Sequence, residues 1–299
     1  MTQHNYSRAA LFSLTAFALW SVGDALLKWA RTADMPEGQV LVVSGLSGMA
    51  VILLLAILGK KLHRLRPQSP KRLLLIGLCQ ALAYLLWIVA LPHLLLVGMY
   101  TVSFLTPMTV AAMASLFLKE ELGAKRAAAI GTGFAGVVVA VDPASLIHDT
   151  AAWLPHLAVF GSMLMTATQM LLLRVVSQKE SGGSLAFYPR AMIVAMGLLL
   201  CLLHGWGSFK PLAALAIAAS GAIGAVGWVL LAKAYKSAPA AAVAPFQYGQ
   251  IFVGALLGYM IWDNLPGAWM LSGAAIIIAS GIWLVRHERR MSRTMIRVD

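Results

Sequence analysis

The sequence predicts an all-α integral membrane protein of ten transmembrane helices, arranged as two five-helix repeats of inverted topology. Three observations predict it. The 299 residues are 60% hydrophobic and only 11% charged, with a mean hydropathy of +0.81, whereas a soluble domain carries about 25% charged residues. The apolar runs are continuous rather than alternating, which suits helices and excludes closed barrels. Nineteen of the 23 Lys and Arg residues gather in alternate connections once the runs are cut into ten spans.

A crossing helix needs about 17 to 25 apolar residues. The ten runs cover residues 9–28, 38–59, 73–91, 94–118, 126–142, 153–174, 185–204, 211–234, 239–261 and 267–286. The first, Ala9 to Leu27, follows a single basic residue, Arg8, and is too long for the apolar stretch of a cleaved leader, so it reads as a transmembrane helix. With the N-terminus inside, inner segments carry Arg8, the cluster Lys60 to Arg72, Lys119, Lys125, Arg126, Arg174, Lys179, Lys233 and Lys236. The C-terminal segment adds Arg286, Arg289, Arg290, Arg293 and Arg297, whereas outer segments hold only Lys28, Arg31 and Lys210. Positive charge stays on the cytoplasmic side, so both termini are expected there, in a bacterial inner membrane. The connection Asp142 to Pro155 is the longest on the outer side, and it divides the chain into residues 1–142 and 143–299, the latter ending in a basic tail, 287–299.

The net charge of +12 does not indicate nucleic acid, because the basic residues sit in short clusters beside apolar spans, where they meet anionic headgroups. Cys79 and Cys201 both fall inside spans and read as small apolar side chains rather than a disulfide or metal site. His93, His148 and His156 lie near outer span ends without ligand-like spacing, so neither metal nor cofactor is implied, and an intramembrane enzyme lacks its nucleophile and base. Gly131, Gly133 and Gly136 spell G-x-G-x-x-G but no strand precedes them, so close helix packing explains them better than a nucleotide. No ATP-binding motif is present, and no ring of charge suggests a channel filter.

A shift of 142 residues superposes Glu121 on Asp263 and Gly131 on Gly273 without a gap. Five spans per half place corresponding elements in opposite orientations, as in inverted-repeat transporters. The residues that carry this duplication are Pro107 through Glu120-Glu121-Leu122 ahead of Gly131, and Ala244-Pro245-Phe246-Gln247-Tyr248 through Asp263-Asn264 ahead of Gly273. Over nearly the whole chain this pattern resembles the EamA repeats of the drug/metabolite transporter superfamily. The run Asp24-Ala25-Leu26-Leu27-Lys28 is similar to one frequent in bacterial members. Asp263 stands where the family usually has Glu. The resemblance implies a transporter of small metabolites, commonly an exporter, with a cavity between its halves.

Polar side chains in hydrocarbon must face protein or water. Ser13, Phe17, Trp20, Asp24 and Lys28 recur on one face of the first span, and Gln80, Tyr84 and Trp87 on one face of the third. The fourth contributes Tyr100, Phe104 and Pro107, the sixth Ser162, Thr166 and Gln169, and the ninth Phe246, Gln247, Tyr248 and Gln250. With Trp228 of the eighth span these form the candidate lining, although single aromatics also serve as interfacial belts and amides as helix glue. Two readings stand open for Asp24: pairing with Lys28 one turn away, or attracting a substrate ammonium or a coupling proton. Arg190 has two as well, a headgroup contact or a carboxylate site. Pro107, Gly224 and Pro245 are candidate hinges.

Taken together, these residues predict a secondary transporter or facilitator, monomer or weak homodimer, that exports small amphiphilic metabolites by alternating access. Amino acids, aromatic ones included, are the expected substrate. Another metabolite, a cationic drug or uptake rather than export is the alternative.

Overall fold

The computed structural model describes residues 6–118, 123–141, 153–176, 180–237 and 243–295. Eleven α-helices fill these stretches: α1 (Tyr6–Arg31), α2 (Glu37–Leu58), α3 (Pro70–Ala90), α4 (Leu96–Ser103), α5 (Thr106–Leu118), α6 (Ala124–Val141), α7 (Trp153–Val176), α8 (Gly182–His204), α9 (Pro211–Ser237), α10 (Gly249–Trp262) and α11 (Ala268–Met295). Two 3-10 turns, Leu62–Leu65 and Ala244–Tyr248, complete them. Among the described residues seven helices are long and apolar enough to cross a membrane, with Leu96–Phe117 counted as one, and Ala127–Val141 and Ala268–Leu284 are shorter apolar helices.

Several boundaries differ from the sequence expectation. The fourth span is broken between α4 and α5: Leu105 N–H bonds back to Val102 O, in a tight three-residue step, and Thr106 Oγ1 donates to Ser103 O at 2.6 Å. Pro107 then sits in the first turn of α5, where its missing N–H costs no helical bond. Helix α8 begins at Gly182 instead of residue 185, because Ser181 caps it with its hydroxyl oxygen, accepting from Ser184 N–H at 3.1 Å. The ninth span opens as a 3-10 turn before α10. Helix α11 runs on to Met295, through most of the segment expected as a tail. Glu120, Glu121, Asp142, His148 and residues 238–242 lie outside the described residues, as do the side chains of Pro245 and of residues 287–299.

The helices of residues 6–141 pack on those of residues 153–295 in antiparallel pairs. Helix α1 lies along α9, where Gly23 faces Ser220 and Trp20 crosses Gly224 and Gly227. Helix α2 lies along α8, with Gly38 against Gly197 and Gly45 against Ile193 and Val194. On the α3–α7 seam Ser162 Oγ donates to Ala83 O at 2.8 Å. The α6 and α11 backbones meet at Gly136 and Gly273, and Ser280 Oγ donates to Ala129 O at 2.5 Å. Small residues at such seams let backbones approach closely, which supplies the van der Waals packing that hydrocarbon solvent does not. Gly133 likewise receives Met108 and Leu105 of the first half, whereas Gly131 faces open space.

At the end of the bundle carrying the Lys60–Arg72 cluster, a buried carboxylate ties the halves together. Glu180 Oε1 accepts from the backbone N–H of Gln68, at 2.9 Å, and of Ser69, just ahead of α3. Its Oε2 accepts from Ser184 Oγ at 2.8 Å, and Ser181 Oγ donates to Arg64 O. At the other end Arg31 pairs with Glu37 at 2.6 Å and also reaches Met35 O, which fixes the short turn from α1 to α2. Glu180→Ala leaves two backbone donors without their acceptor, so thermal or denaturant unfolding in detergent is expected to show a loss of about 1 to 3 kcal/mol. A variant as stable as the wild type would show that water replaces the carboxylate.

Candidate functional site

A cavity of about 560 Å³ opens between the two sets of helices. From residues 6–141 it takes Phe17, Trp20 and Asp24 of α1, Gln80, Tyr84 and Trp87 of α3, and Tyr100 and Phe104 of the α4 region. From residues 153–295 it takes Ser162, Thr166 and Gln169 of α7, Arg190 of α8, Ser220, Gly224 and Trp228 of α9, and Gln247 and Gln250. It extends past Leu231 to Tyr235 and past Met170 to Leu173, toward the end where Lys233 lies over the Phe12 ring.

Asp24 has two donors from other helices. Trp87 Nε1 donates to Oδ1 at 3.1 Å and Tyr100 Oη to Oδ2 at 3.0 Å. The two rings stack on each other, with centroids 6.1 Å apart and planes 23° from parallel. A carboxylate on an apolar span costs about 2.5 to 3.5 kcal/mol at the helix centre, and these hydrogen bonds offset part of it without cancelling the charge. Lys28 does not pair with Asp24. Its ammonium donates to Leu94 O and lies 5.5 Å from the Trp262 ring centroid, so it ties α1 to the start of α4 and the end of α10. One-turn spacing on a helix permits an ion pair, but here a free carbonyl next to an aromatic face holds the ammonium instead.

The remaining lining is similarly cross-braced. Trp20 Nε1 donates to Gly224 O at 3.2 Å, and Trp20 meets Phe17 and Trp228 edge-on at centroid distances of 5.5 and 6.3 Å. Gln169 Nε2 donates to Gln80 Oε1 at 2.7 Å, which leaves the other amide atoms of the pair for further partners. Of the residues singled out in the sequence for the lining, Ser13, Lys28, Pro107, Phe246 and Tyr248 lie elsewhere. Phe246 packs with Phe12 and Trp20 in a small apolar cluster, and Tyr248 is buried edge-on against Phe104 at 5.0 Å. Adjacent residues on a helical backbone point in different directions, so Gln247 and Gln250, three apart, face the cavity while Phe246 and Tyr248 do not.

Arg190 is placed differently from its headgroup reading. It stands eight residues after Gly182, roughly 12 Å along α8 at 1.5 Å per residue. Its guanidinium lies in a crease between α2 and α9: a methyl carbon on Gly48 would meet its Nε at 2.5 Å, and Nη2 lies 4.0 Å from the corresponding position at Gly224. Both glycines sit near the middle of their helices. Gly224 thus supplies a carbonyl to Trp20, and Gly221 is pressed against Ser44 and Ser47 of α2. The structure places the candidate hinge Pro107 at a helix start and Pro245 in the 3-10 turn. Among the described residues there is no cluster of three metal-ligating side chains.

Comparison with known proteins agrees with this architecture. Residues 7–141 match the model of the EamA-like transporter family. The chain is 26% identical over 294 residues to a riboflavin transporter of Vibrio cholerae, covering 97% of each protein. It is 25% identical over 286 residues to a pseudopaline exporter of Pseudomonas aeruginosa, covering 93% of this chain and 96% of the exporter. An S-adenosylmethionine uptake transporter of Rickettsia felis is 27% identical over 197 residues, or 64% of each chain. A solved crystal structure has the same fold, with a TM-score of 0.65 and 19% identity over 95% of this chain and 99% of that one.

The Asp24 cluster yields a direct test. Tyr100→Phe removes one of two donors to a carboxylate inside the bundle, and is expected to lower unfolding stability by about 1 to 3 kcal/mol. Adding Asp24→Asn in that background should recover part of the loss, since a neutral amide is cheaper to leave under-bonded. Strict additivity of the two substitutions in a double-mutant cycle would show that the two groups are not coupled.

Proposed function

We propose that the chain, residues 7–141 of which match the EamA-like transporter family, is a multi-pass membrane transporter of that family and not an enzyme, and that it exports amino acids, aromatic ones included. The observation that carries the reading is a cavity with aromatic walls, uncharged amides and an aspartate that is held by two donors and, among the described residues, by no cation. Indole and phenol faces stack on flat rings and attract an ammonium. Asp24 supplies the opposite charge, and Gln80, Gln169 and Gln250 supply hydrogen bonds suited to a zwitterion.

Residues 1–142 and 143–299 act as two repeats of inverted topology that rock about the cavity. In support, exchanging the halves maps the α1–α9 pairing onto α3–α7, α2–α9 onto α3–α8, and α1–α10 onto α5–α7, while α2–α8 and α6–α11 map onto themselves. The basic end is cytoplasmic, as are both termini. The cavity's extension to Tyr235 and Leu173 then corresponds to an inward-open state, with Lys28, Leu94 and Trp262 closing the outer end. Opening that end requires Lys28 to leave its carbonyl. One chain encloses the whole site, so a monomer suffices, in a bacterial inner membrane.

A second reading rests on the riboflavin transporter of Vibrio cholerae, whose similarity spans both chains almost end to end. The stacked indole and phenol walls also suit a flat neutral ring system, carried inward. Counterflow in proteoliposomes loaded with single amino acids or with riboflavin separates the two. Amino-acid counterflow is expected, with Asp24→Asn reducing its rate about tenfold or more, the worth of a charged hydrogen bond. Riboflavin counterflow with none for any amino acid would replace the first reading by the second.

A further inference from the structure

Arg190 is the part of the cavity that the Asp24-centred account does not use. We infer that Arg190 is the subsite for a substrate carboxylate, so that the transported molecule carries an acid group and is oriented by it. This deepens the amino-acid reading and rests on it.

Three observations carry the inference. The first is depth. Gly48 faces both Arg190 and Gly221 O, and the neighbouring Ser220 faces Gly23. These contacts put the guanidinium within about one helical turn in depth of Asp24, far from the ends of α2 and α9. A headgroup contact is out of reach from there. The second is the seat. Arg190 occupies a crease that exists because residue 48 has no Cβ, with residue 224 equally bare on the other side. The stem is thereby packed and the planar head aimed along the cavity wall.

The third is the open valence. The guanidinium has five N–H donors. Its recorded hydrogen bond is from Nη1 to Ala186 O at 3.5 Å, the limit of a useful bond. Among the described residues the ion pair within 4.0 Å is Arg31 with Glu37, so Asp24 does not neutralise Arg190 although both line one cavity. Tyr84, between them on α3, is within electrostatic reach of both. A cation fixed inside a membrane-spanning bundle with most of its donors free is a functional site by default. Its fork matches a carboxylate bidentately, which a Lys ammonium does not. Cationic and anionic walls at one depth then receive the two ends of a zwitterion, with the ring system against Trp20, Trp87 and Trp228.

The test uses purified full-length protein and four ligands sharing an indole ring: tryptophan, indole-3-propionate, tryptophanamide and tryptamine. Binding is read by competition and by thermal shift in detergent. The two acids are expected to bind the wild type, and the amide and amine to bind about 10- to 100-fold more weakly, the worth of a lost charged hydrogen bond. Arg190→Gln is expected to abolish that preference, and Arg190→Lys to restore part of it. The acid-to-amide ratio of the wild type needs no variant, so it stands even if Arg190→Gln folds poorly. If amide and acid bind equally, or Arg190→Gln keeps the preference, the assignment is overturned. Binding of indole-3-propionate without tryptophan would sink the amino-acid reading and leave the carboxylate subsite standing. A folded wild type that binds neither acid overturns both.

Discussion

Hydrocarbon cannot solvate an aspartate, and the bundle is organised around the two side chains that do so for Asp24. Trp87 and Tyr100 come from different helices of the same half, stack on each other and point their polar atoms at one carboxylate. That arrangement fixes α1, α3 and the α4 region relative to one another. Both donors are neutral, and the carboxyl faces the cavity without Lys28, which is drawn off to Leu94 O and the Trp262 ring. A charge there is thus costly to keep and available to a substrate, the combination that marks intramembrane ionisable groups as functional.

The second half answers with glycine. Its helices come close to the first through Gly197, Gly221, Gly227 and Gly273, each of which has a neighbour where a Cβ would stand. The space beside Gly48 of the first half is taken by Arg190. Polar braces cross between the halves at several depths: Gln80 with Gln169, Trp20 with Gly224 O, and Glu180 with the chain ahead of α3. A bundle held by narrow seams and a few exchangeable hydrogen bonds can repack as two bodies, whereas one held by interlocked large side chains would resist.

Much of this was legible in the sequence where helical periodicity holds. Phe17, Trp20 and Asp24 share a face at three- and four-residue steps, and so do Gln80, Tyr84 and Trp87, and all six line the cavity. Proximity in sequence is a weaker guide than periodicity. Phe246 and Tyr248 flank Gln247, but neighbours on a helical backbone point in different directions, and both lie in other surroundings. Arg190 reads as a residue near a span end only if α8 starts at residue 185. The Ser181 cap starts it at Gly182, and that extra turn puts Arg190 deep in the bundle. The signal was the Ser-Gly-Gly-Ser sequence ahead of the apolar run, a capping pattern rather than a hydropathy pattern. Lys28 shows another limit, because spacing says which groups can meet and not which partner wins.

The central claim is that one cavity, with Asp24 and Arg190 on its walls, is where substrate sits. An experimental structure of the protein in a lipid nanodisc, saturated with an aromatic amino acid, tests it most directly. The account predicts ligand density between Trp20, Asp24 and Arg190, with the ammonium toward Asp24 and the carboxylate toward the guanidinium. Density outside the cavity, or Asp24 and Arg190 paired with each other beneath an excluded ligand, would contradict it.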